Sequence, residues 1–495
     1  MLRADGNARL GLGHVMRLLA LAQLLRADFT EITFLIQNPS PDVRTLLLEA
    51  SLAVVALPES PLGVEAADTL PKLLRPTDVL VLDGYGFAEA YQTAVRALVF
   101  RLVCLDDLHA FPFAADLVLN PAGGIAPAAY DLRTPGARLL AGPGYAPLRA
   151  DFQLKSDPVP PETSQVLVCL GGADPRHLTR ETITALLALP AVAHVHAVVG
   201  SAYAGWAELR AWAGPHPGRL TLYRALPAAE LAALMRHCGA AVLSPSTISY
   251  EYCAAGGGLL LLRPTADNQH DLDRFLRGAG LALPAAAAPA VLTAAEAPRR
   301  AAELRQAQRR YFDGLAPQRL RQEFAALRMP AAPLRLRPVR ATDSAQLLAW
   351  TNDPEARRQS FDPAPVPPGR HETWLAAQLA APDHHLLLLA ETTDANAPAG
   401  LIRFTLSQDS QAEWQATLSY SLAAGCRGRG WAAPLLLAGT RAVLRQFPRV
   451  RRVLGHVKAS NEASVRAFRR AGFALAPEPG PADGLTFAWI AAPAV

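Results

Sequence analysis

The chain has 495 residues, 51% hydrophobic and 18% charged, which exceeds one ordinary core and implies two to four domains. Its 48 basic and 43 acidic residues leave a net charge of +5, spread along the chain with no basic block of the kind that tracks nucleic acid. The cysteines, Cys104, Cys169, Cys238, Cys253 and Cys426, form no C-x-x-C pair and lie mostly in apolar runs, which argues against a disulfide framework or a zinc site.

The opening stretch organises the rest. Gly11 and Gly13 sit two apart, His14 follows at once, and Val15, Leu18, Leu19 and Ala22 recur at helical spacing. The glycines permit a tight turn and a close ligand approach. The helix start offers free N–H groups and a positive dipole to a phosphate. His14 then lies where a general base would face that phosphate. Leu18 to Leu25 is apolar, but Asp5, Arg9 and Arg17 precede it and no small-residue cleavage site follows. No apolar run approaches the length of a membrane span. The expectation is a cytoplasmic protein without a membrane partner.

Strands are expected at 32–36, 52–57, 78–82 and 101–105, with a helix at 43–50. Short continuous apolar strands between helices predict a parallel sheet covered on both faces. Ligands bind beyond the carboxyl ends of such strands, where Asp83, Tyr85, Asp106 and Asp107 fall. Only Met1 and Leu2 precede Arg3, so the expectation is either a first strand cut short or a true start codon further upstream; a missing strand would leave a position of the sheet unfilled. Residues 157–161 read as a Pro-rich linker. The alternation then restarts: a strand at 165–170, the turn Gly171-Gly172, and a helix from about residue 177. Strands at 197–199, 220–223, 240–243 and 259–262 follow, with Ser246, Thr247 and Glu251 opening one helix and Asn268 and Gln269 another. The expected domains are 1–155, 163–328 and, after a second linker at 329–333, 334–495.

Arg3 and Asp5, followed by Gly11, Gly13, His14, Val15, Met16 and Arg17, resemble the opening of the UDP-sugar hydrolases of pseudaminic acid biosynthesis. Those enzymes release UDP from UDP-2,4-diacetamido-2,4,6-trideoxy-β-L-altropyranose. The resemblance implies two Rossmann-like halves of the GT-B glycosyltransferase type. Arg3, Asp5, Gly11, Gly13, Gly171, Gly172, Ser246, Thr247, Glu251, Asn268 and Gln269 would then bind substrate. Glu251 would accept from both ribose hydroxyls. His14 would act as base, with Asp83 or Tyr85 orienting water or sugar, and cleavage would invert the sugar carbon without an obligatory metal. This chain carries Gly84 where the family usually has His.

The pattern changes after residue 333. Strands at 334–339, 385–390, 400–406 and 416–422, with helices at 342–350 and 372–379, suggest an antiparallel sheet. Arg427, Gly428, Arg429, Gly430, Trp431 and Ala432, with Asn461, Ser464, Gly472 and Phe473 later, resemble the GNAT acetyltransferases. The resemblance implies that 427–432 cradle the pyrophosphate of acetyl-CoA on backbone N–H groups, with Asn461 and Ser464 also on the cofactor. Phe468 stands where many members carry a tyrosine acid. The nearest type acetylates the 4-amino group of a UDP-4-amino sugar whose product the hydrolase consumes. A glycosyltransferase on the same scaffold, or a nucleotide-sugar binding protein without turnover, remains an alternative. Other enzymes of the same sugar pathway are the expected partners.

Overall fold

The computed structural model describes all residues except 7–11, 154–160, 173, 202, 215–217, 479, 494 and 495, and the side chains of 268 and 483. Gly11 and most of the linker at 157–161 therefore lie outside the described residues, as does the side chain of Asn268. The chain divides into two compact units, residues 1–317 and 318–494. No helix among the described residues is long and apolar enough to cross a membrane.

The first unit holds two parallel sheets. The first runs β1 (Leu2–Ala4), β2 (Thr33–Gln37), β3 (Ala53–Leu57), β4 (Val79–Asp83), β5 (Arg101–Leu105), β6 (Leu117–Asn120) and β7 (Arg138–Ala141), in the spatial order β3-β2-β1-β4-β5-β6-β7. Residues such as Phe34, Leu80, Leu102 and Val118 have no exposed surface, as continuous apolar strands between two helical layers require. Three residues suffice for β1. Leu2 and Arg3 pair with Phe34 and Leu35 on one side and with Val81 and Leu82 on the other, so the central position is filled.

The second sheet is β8 (Gln165–Cys169), β9 (His194–Val199), β10 (Leu220–Arg224), β11 (Ala240–Leu243), β12 (Leu259–Leu262) and β13 (Leu283–Pro284), ordered β10-β9-β8-β11-β12-β13. Both sheets reverse winding beside their first strand, between β1 and β4 and between β8 and β11. These are the topological switch points at which open α/β sheets leave a crevice.

Two boundaries differ from the sequence expectation. Ala146, Leu148 and Phe152 pack with Leu167, Cys169 and Leu243 in the core of the second half, although the first half was expected to run to residue 155. The helix Ala316–Leu327 was assigned to the second half, yet the division falls at 317. Its inner face explains why. Arg319 donates to the Ala491 carbonyl at 3.0 Å, Gln322 accepts from the Ile490 N–H at 3.3 Å, and Ala326 joins the core of the second unit.

The second unit is one sheet: β14 (Leu334–Pro338), β15 (His385–Thr392), β16 (Pro398–Gln408), β17 (Trp414–Leu422), β18 (Arg452–Lys458), β19 (Ala474–Leu475) and β20 (Gly484–Ile490), ordered β14-β15-β16-β17-β18-β20-β19. It is mostly antiparallel, as its short connections require, but β17 and β18 are parallel. They pair only over 415–418 and 452–455. Beyond that point β17 keeps β16 as its partner and β18 keeps β20, so the sheet opens between them.

Candidate active sites

In the first unit the helix Gly13–Leu25 follows β1, and Gly84 and Tyr85 follow β4. The switch point thus brings His14 and Tyr85 together. Their rings meet edge-on with centroids 4.7 Å apart, and Tyr85 is 45% exposed. Val15, Leu18, Leu19 and Leu25 anchor the helix, so His14 sits on a rigid start with the uncapped N–H groups around it.

Two expected site residues have other work. Asp83 is fully buried, and both its oxygens accept from Arg17, at 2.6 and 2.8 Å. Its carboxylate positions Arg17 and is not open to a water. Arg3 is also fully buried. It donates to both oxygens of Glu65 at 2.8 Å and to Asp5 at 2.5 Å, so it cannot reach a substrate. Tyr91 donates to Glu65 at 2.6 Å and Gln37 donates to it as well. Glu65 opens a one-turn π-helix, Glu65–Thr69, of the kind often tied to a local functional or packing demand. The arginine and its hydrogen bonds hold Glu65 below the usual carboxylate range against the opposing effect of burial. Asp5 also accepts from the Gln37 N–H at 2.9 Å, fixing the base of the loop.

Arg17 is the residue that sequence reasoning missed. Its third contact, to Asp107 at 3.0 Å, ties the carboxyl ends of β4 and β5 to the first helix. The other Asp107 oxygen is buried without a partner. Asp106 accepts from Tyr130 at 2.6 Å and from the His109 N–H at 2.8 Å.

The second switch point gathers Gly171, Gly172, Ser246 and Thr247. Gly171 has φ +92°, which an L side chain rarely adopts. A Cβ on Gly200 would lie 2.4 Å from the Gly172 carbonyl oxygen, so the two turns are packed backbone to backbone. The Ser244 and Ser246 hydroxyls are 3.1 Å apart ahead of the helix Thr247–Ala254. Glu251 on that helix is 3% exposed, and Arg149 donates to one of its oxygens twice, at 2.8 and 2.9 Å. Burial pushes Glu251 upward and the Arg149 charge opposes it. Gln269 accepts from the Thr265 N–H at 2.8 Å. The loop after β6 touches the second half through the Gly123 N–H, 3.3 Å from the Tyr250 hydroxyl.

In the second unit the opening between β17 and β18 leads into the loop 427–431 and the helix Ala432–Gln446. Gly428 and Gly430 have φ +76° and +77°, and a Cβ on either would meet nothing within 4 Å. Alternating left-handed glycines at a helix start turn successive N–H groups toward one open space. Arg427 is held by the Leu422 carbonyl at 3.1 Å and by Asp353 at 2.8 Å. Arg429 lies over the Trp431 ring at 5.2 Å. Asn461 caps the helix Glu462–Arg470 by accepting from the Ser464 N–H at 3.1 Å. The Ser464 hydroxyl is 2.9 Å from that of Tyr420, which stands on β17 beyond its pairing with β18. Phe468 is 2% exposed and stacked on Phe487 at 5.2 Å, with no hydroxyl to offer.

No group of three or more His, Cys, Asp or Glu among the described residues could hold a metal ion. All the cysteines are free thiols, and four of them are buried. Burial pushes Cys169 up to about 11 and Cys238 up to about 12, which suits packing rather than reactivity.

An uncharacterised protein of Methanocaldococcus jannaschii, MJ1062, is 24% identical over 286 residues, covering 55% of this chain. The chain spans 57% of the length of that relative. Among solved structures, the aminoglycoside acetyltransferase AAC(6')-Ib with paromomycin and acetyl-CoA is 18% identical, with 32% of this chain and 94% of that one covered and a TM-score of 0.28. The Vibrio cholerae spermidine N-acetyltransferase with CoA and spermine is 15% identical, with 32% and 95% covered and the same TM-score of 0.28. Residues 333–474 match the model of the acetyltransferase (GNAT) domain, and the C-terminal unit is a domain of that kind.

Proposed function

We propose that the chain joins two enzymes of one sugar pathway. The second unit transfers the acetyl group of acetyl-CoA to the amine of a UDP-4-amino sugar. The first unit hydrolyses the product, UDP-2,4-diacetamido-2,4,6-trideoxy-β-L-altropyranose, to UDP and free sugar.

The transferase reading is carried by the opening between β17 and β18 above the loop 427–432. Bound acetyl-CoA supplies a thioester that an amine can attack. The N–H groups around Gly428 and Gly430 fit its pyrophosphate, since a left-handed, side-chain-free turn is what that anion needs. Arg427, fixed by Asp353, holds the loop in place. The Tyr420 and Ser464 hydroxyls hold the proton that the departing thiolate takes, in place of the one Phe468 lacks.

The hydrolase reading is carried by His14 beside Tyr85 at the first switch point. His14 removes a proton from the attacking water, and the exposed phenol of Tyr85 fixes the imidazole from its edge. The N–H groups of the helix Gly13–Leu25 and the turn Gly171-Gly172 stabilise the charge developing on UDP. Asp83 contributes by holding Arg17.

Proton and phosphorus NMR of the full chain with this UDP-sugar, beside His14→Ala, tests the hydrolase. Release of UDP and free sugar by the wild type alone supports it. Intact substrate with bound UDP in both proteins overturns it and leaves a glycosyltransferase or a binding protein.

A further inference from the structure

The short helix Pro354–Gln359 lies across the opening between β17 and β18. Asp353, its N-cap, pairs with Arg427 at 2.8 Å on the β17 side. The Arg358 carbonyl accepts from Lys458, at the end of β18, at 2.9 Å. Whatever amine enters the opening from this side must pass the helix.

Two cations here, Arg357 on the helix itself and Arg403 on β16, have no anion among the described residues. Arg403 on β16 continues the face of Leu401 and is paired in register with Leu387. Its guanidinium lies over the Trp374 ring at 4.8 Å and forms no ion pair or hydrogen bond among the described residues. Arg357 donates to the carbonyls of Asp362 and Ala364, both at 3.1 Å, and has no carboxylate partner among the described residues. Its Nε is buried and unpartnered. Burial, and next the Arg357 charge, pull Arg403 below the usual arginine range. Among the titratable neighbours on this face are His385, which burial and the charges of His384 and Arg403 depress, and His371, whose ring lies 5.6 Å from that of Trp374.

Other half-buried arginines of this unit do have carboxylate partners. Arg337, for instance, has Asp343 and Glu391 at 2.8 and 2.6 Å. A half-buried guanidinium beside a second one costs free energy unless something neutralises them. An anion held by both would do so, and arginine forks match phosphate oxygens best.

We propose that Arg403 and Arg357 form a subsite for a phosphate group carried by the amine acceptor. This rests on reading residues 333–474 as an acetyltransferase. It assigns the acceptor to phosphorylated amines, such as a nucleoside-diphospho amino sugar, and against polycations, which the two arginines would repel.

The test is the rate at which phenylglyoxal labels Arg403 in the full chain, read by peptide mass spectrometry. CoA is present throughout to fill the loop 427–432. Inorganic pyrophosphate at ten times its dissociation constant should slow the labelling roughly tenfold. Arg357→Gln should remove that protection. Glucosamine 6-phosphate should protect at lower concentration than inorganic phosphate, because its amine enters the opening. Equal labelling with and without pyrophosphate, or an Arg403 that is never labelled, overturns the subsite. Equal protection by inorganic phosphate and glucosamine 6-phosphate overturns its assignment to the acceptor. Calorimetry with acetyl-CoA, run in parallel, reports separately on the transferase reading.

Discussion

Arg17 grips Asp83 through two hydrogen bonds, at 2.6 and 2.8 Å, with the carboxylate wholly buried beneath the first helix. Removing one partner leaves the other charge in a dry place. Arg17→Leu should therefore cost about 3–5 kcal/mol of unfolding free energy. The double variant Arg17→Leu with Asp83→Leu should recover much of that loss, because the fully buried charge is gone and only the part-exposed Asp107 has lost its partner. Denaturant melts of the two proteins check it. Equal loss in both would show that Arg17 stabilises through packing alone.

The loop glycines make a separate prediction. Gly428→Ala and Gly430→Ala place a Cβ on backbone at φ +76° and +77°. Each change should cost about 1 kcal/mol or more in the loop conformation. Acetyl-CoA affinity should fall about tenfold per residue as the N–H groups rotate away. Calorimetric titration measures this, and the melting temperature of the unit should fall by only about 2–4 °C.

His196 gives the first unit a pH dependence. Burial chiefly, and then the charges of His194 and His237, lower its pKa to about 4. His194 and His196 lie 4.5 Å apart, and His237 lies 5.6 Å from His196. The folded state therefore prefers neutral His196, while the unfolded chain protonates near 6.5. The stabilisation is complete above about pH 6.5 and is lost as pH falls toward 4. Its size should be about 1 kcal/mol once partial solvent screening is allowed for. His196→Gln should make the fall in stability between those values shallower.

Gly455 and Phe468 form a coupled pair in the second unit. A Cβ on Gly455 would stand 2.3 Å from the Phe468 ring. Gly455→Ala should cost about 1–3 kcal/mol through overpacking. Joining it to Phe468→Leu should cost less than the two changes summed, since the smaller side chain yields the space. A double-mutant cycle by chemical denaturation gives the coupling energy.

The parallel sheets were readable because their strands are continuous apolar runs at regular intervals. The strands Arg101–Leu105, Ala240–Leu243 and Leu259–Leu262 fall where the sequence places them. Leu117–Asn120 and Arg138–Ala141 were not anticipated, because a 3-10 turn at Pro127–Ala129 and irregular chain join them without a helical period to mark the connection. Ala474–Leu475 in the second unit escaped because two residues carry no period; Arg452–Lys458 and Gly484–Ile490 were not anticipated either. The position of His14 was legible from the glycines before it. The role of Arg17 was not, because its partners lie 66 and 90 residues away and nothing local announces them. Arg3 was misjudged from its motif. A strand residue between two parallel neighbours is buried, and its charge must find a partner inside, which Glu65 supplies.

The segment Ala146–Phe152 belongs by sequence to the first half and by packing to the second. Anyone dividing this unit for expression meets the consequence. A fragment ending near residue 155 would carry Leu148 and Phe152 into water as a greasy tail and strip the other fragment of part of its wall. A cut just after β7 keeps Leu148 and Phe152 with the residues they pack on. Arg149 then travels with Glu251 as a single cassette, and the second half keeps the ion pair that its buried carboxylate needs.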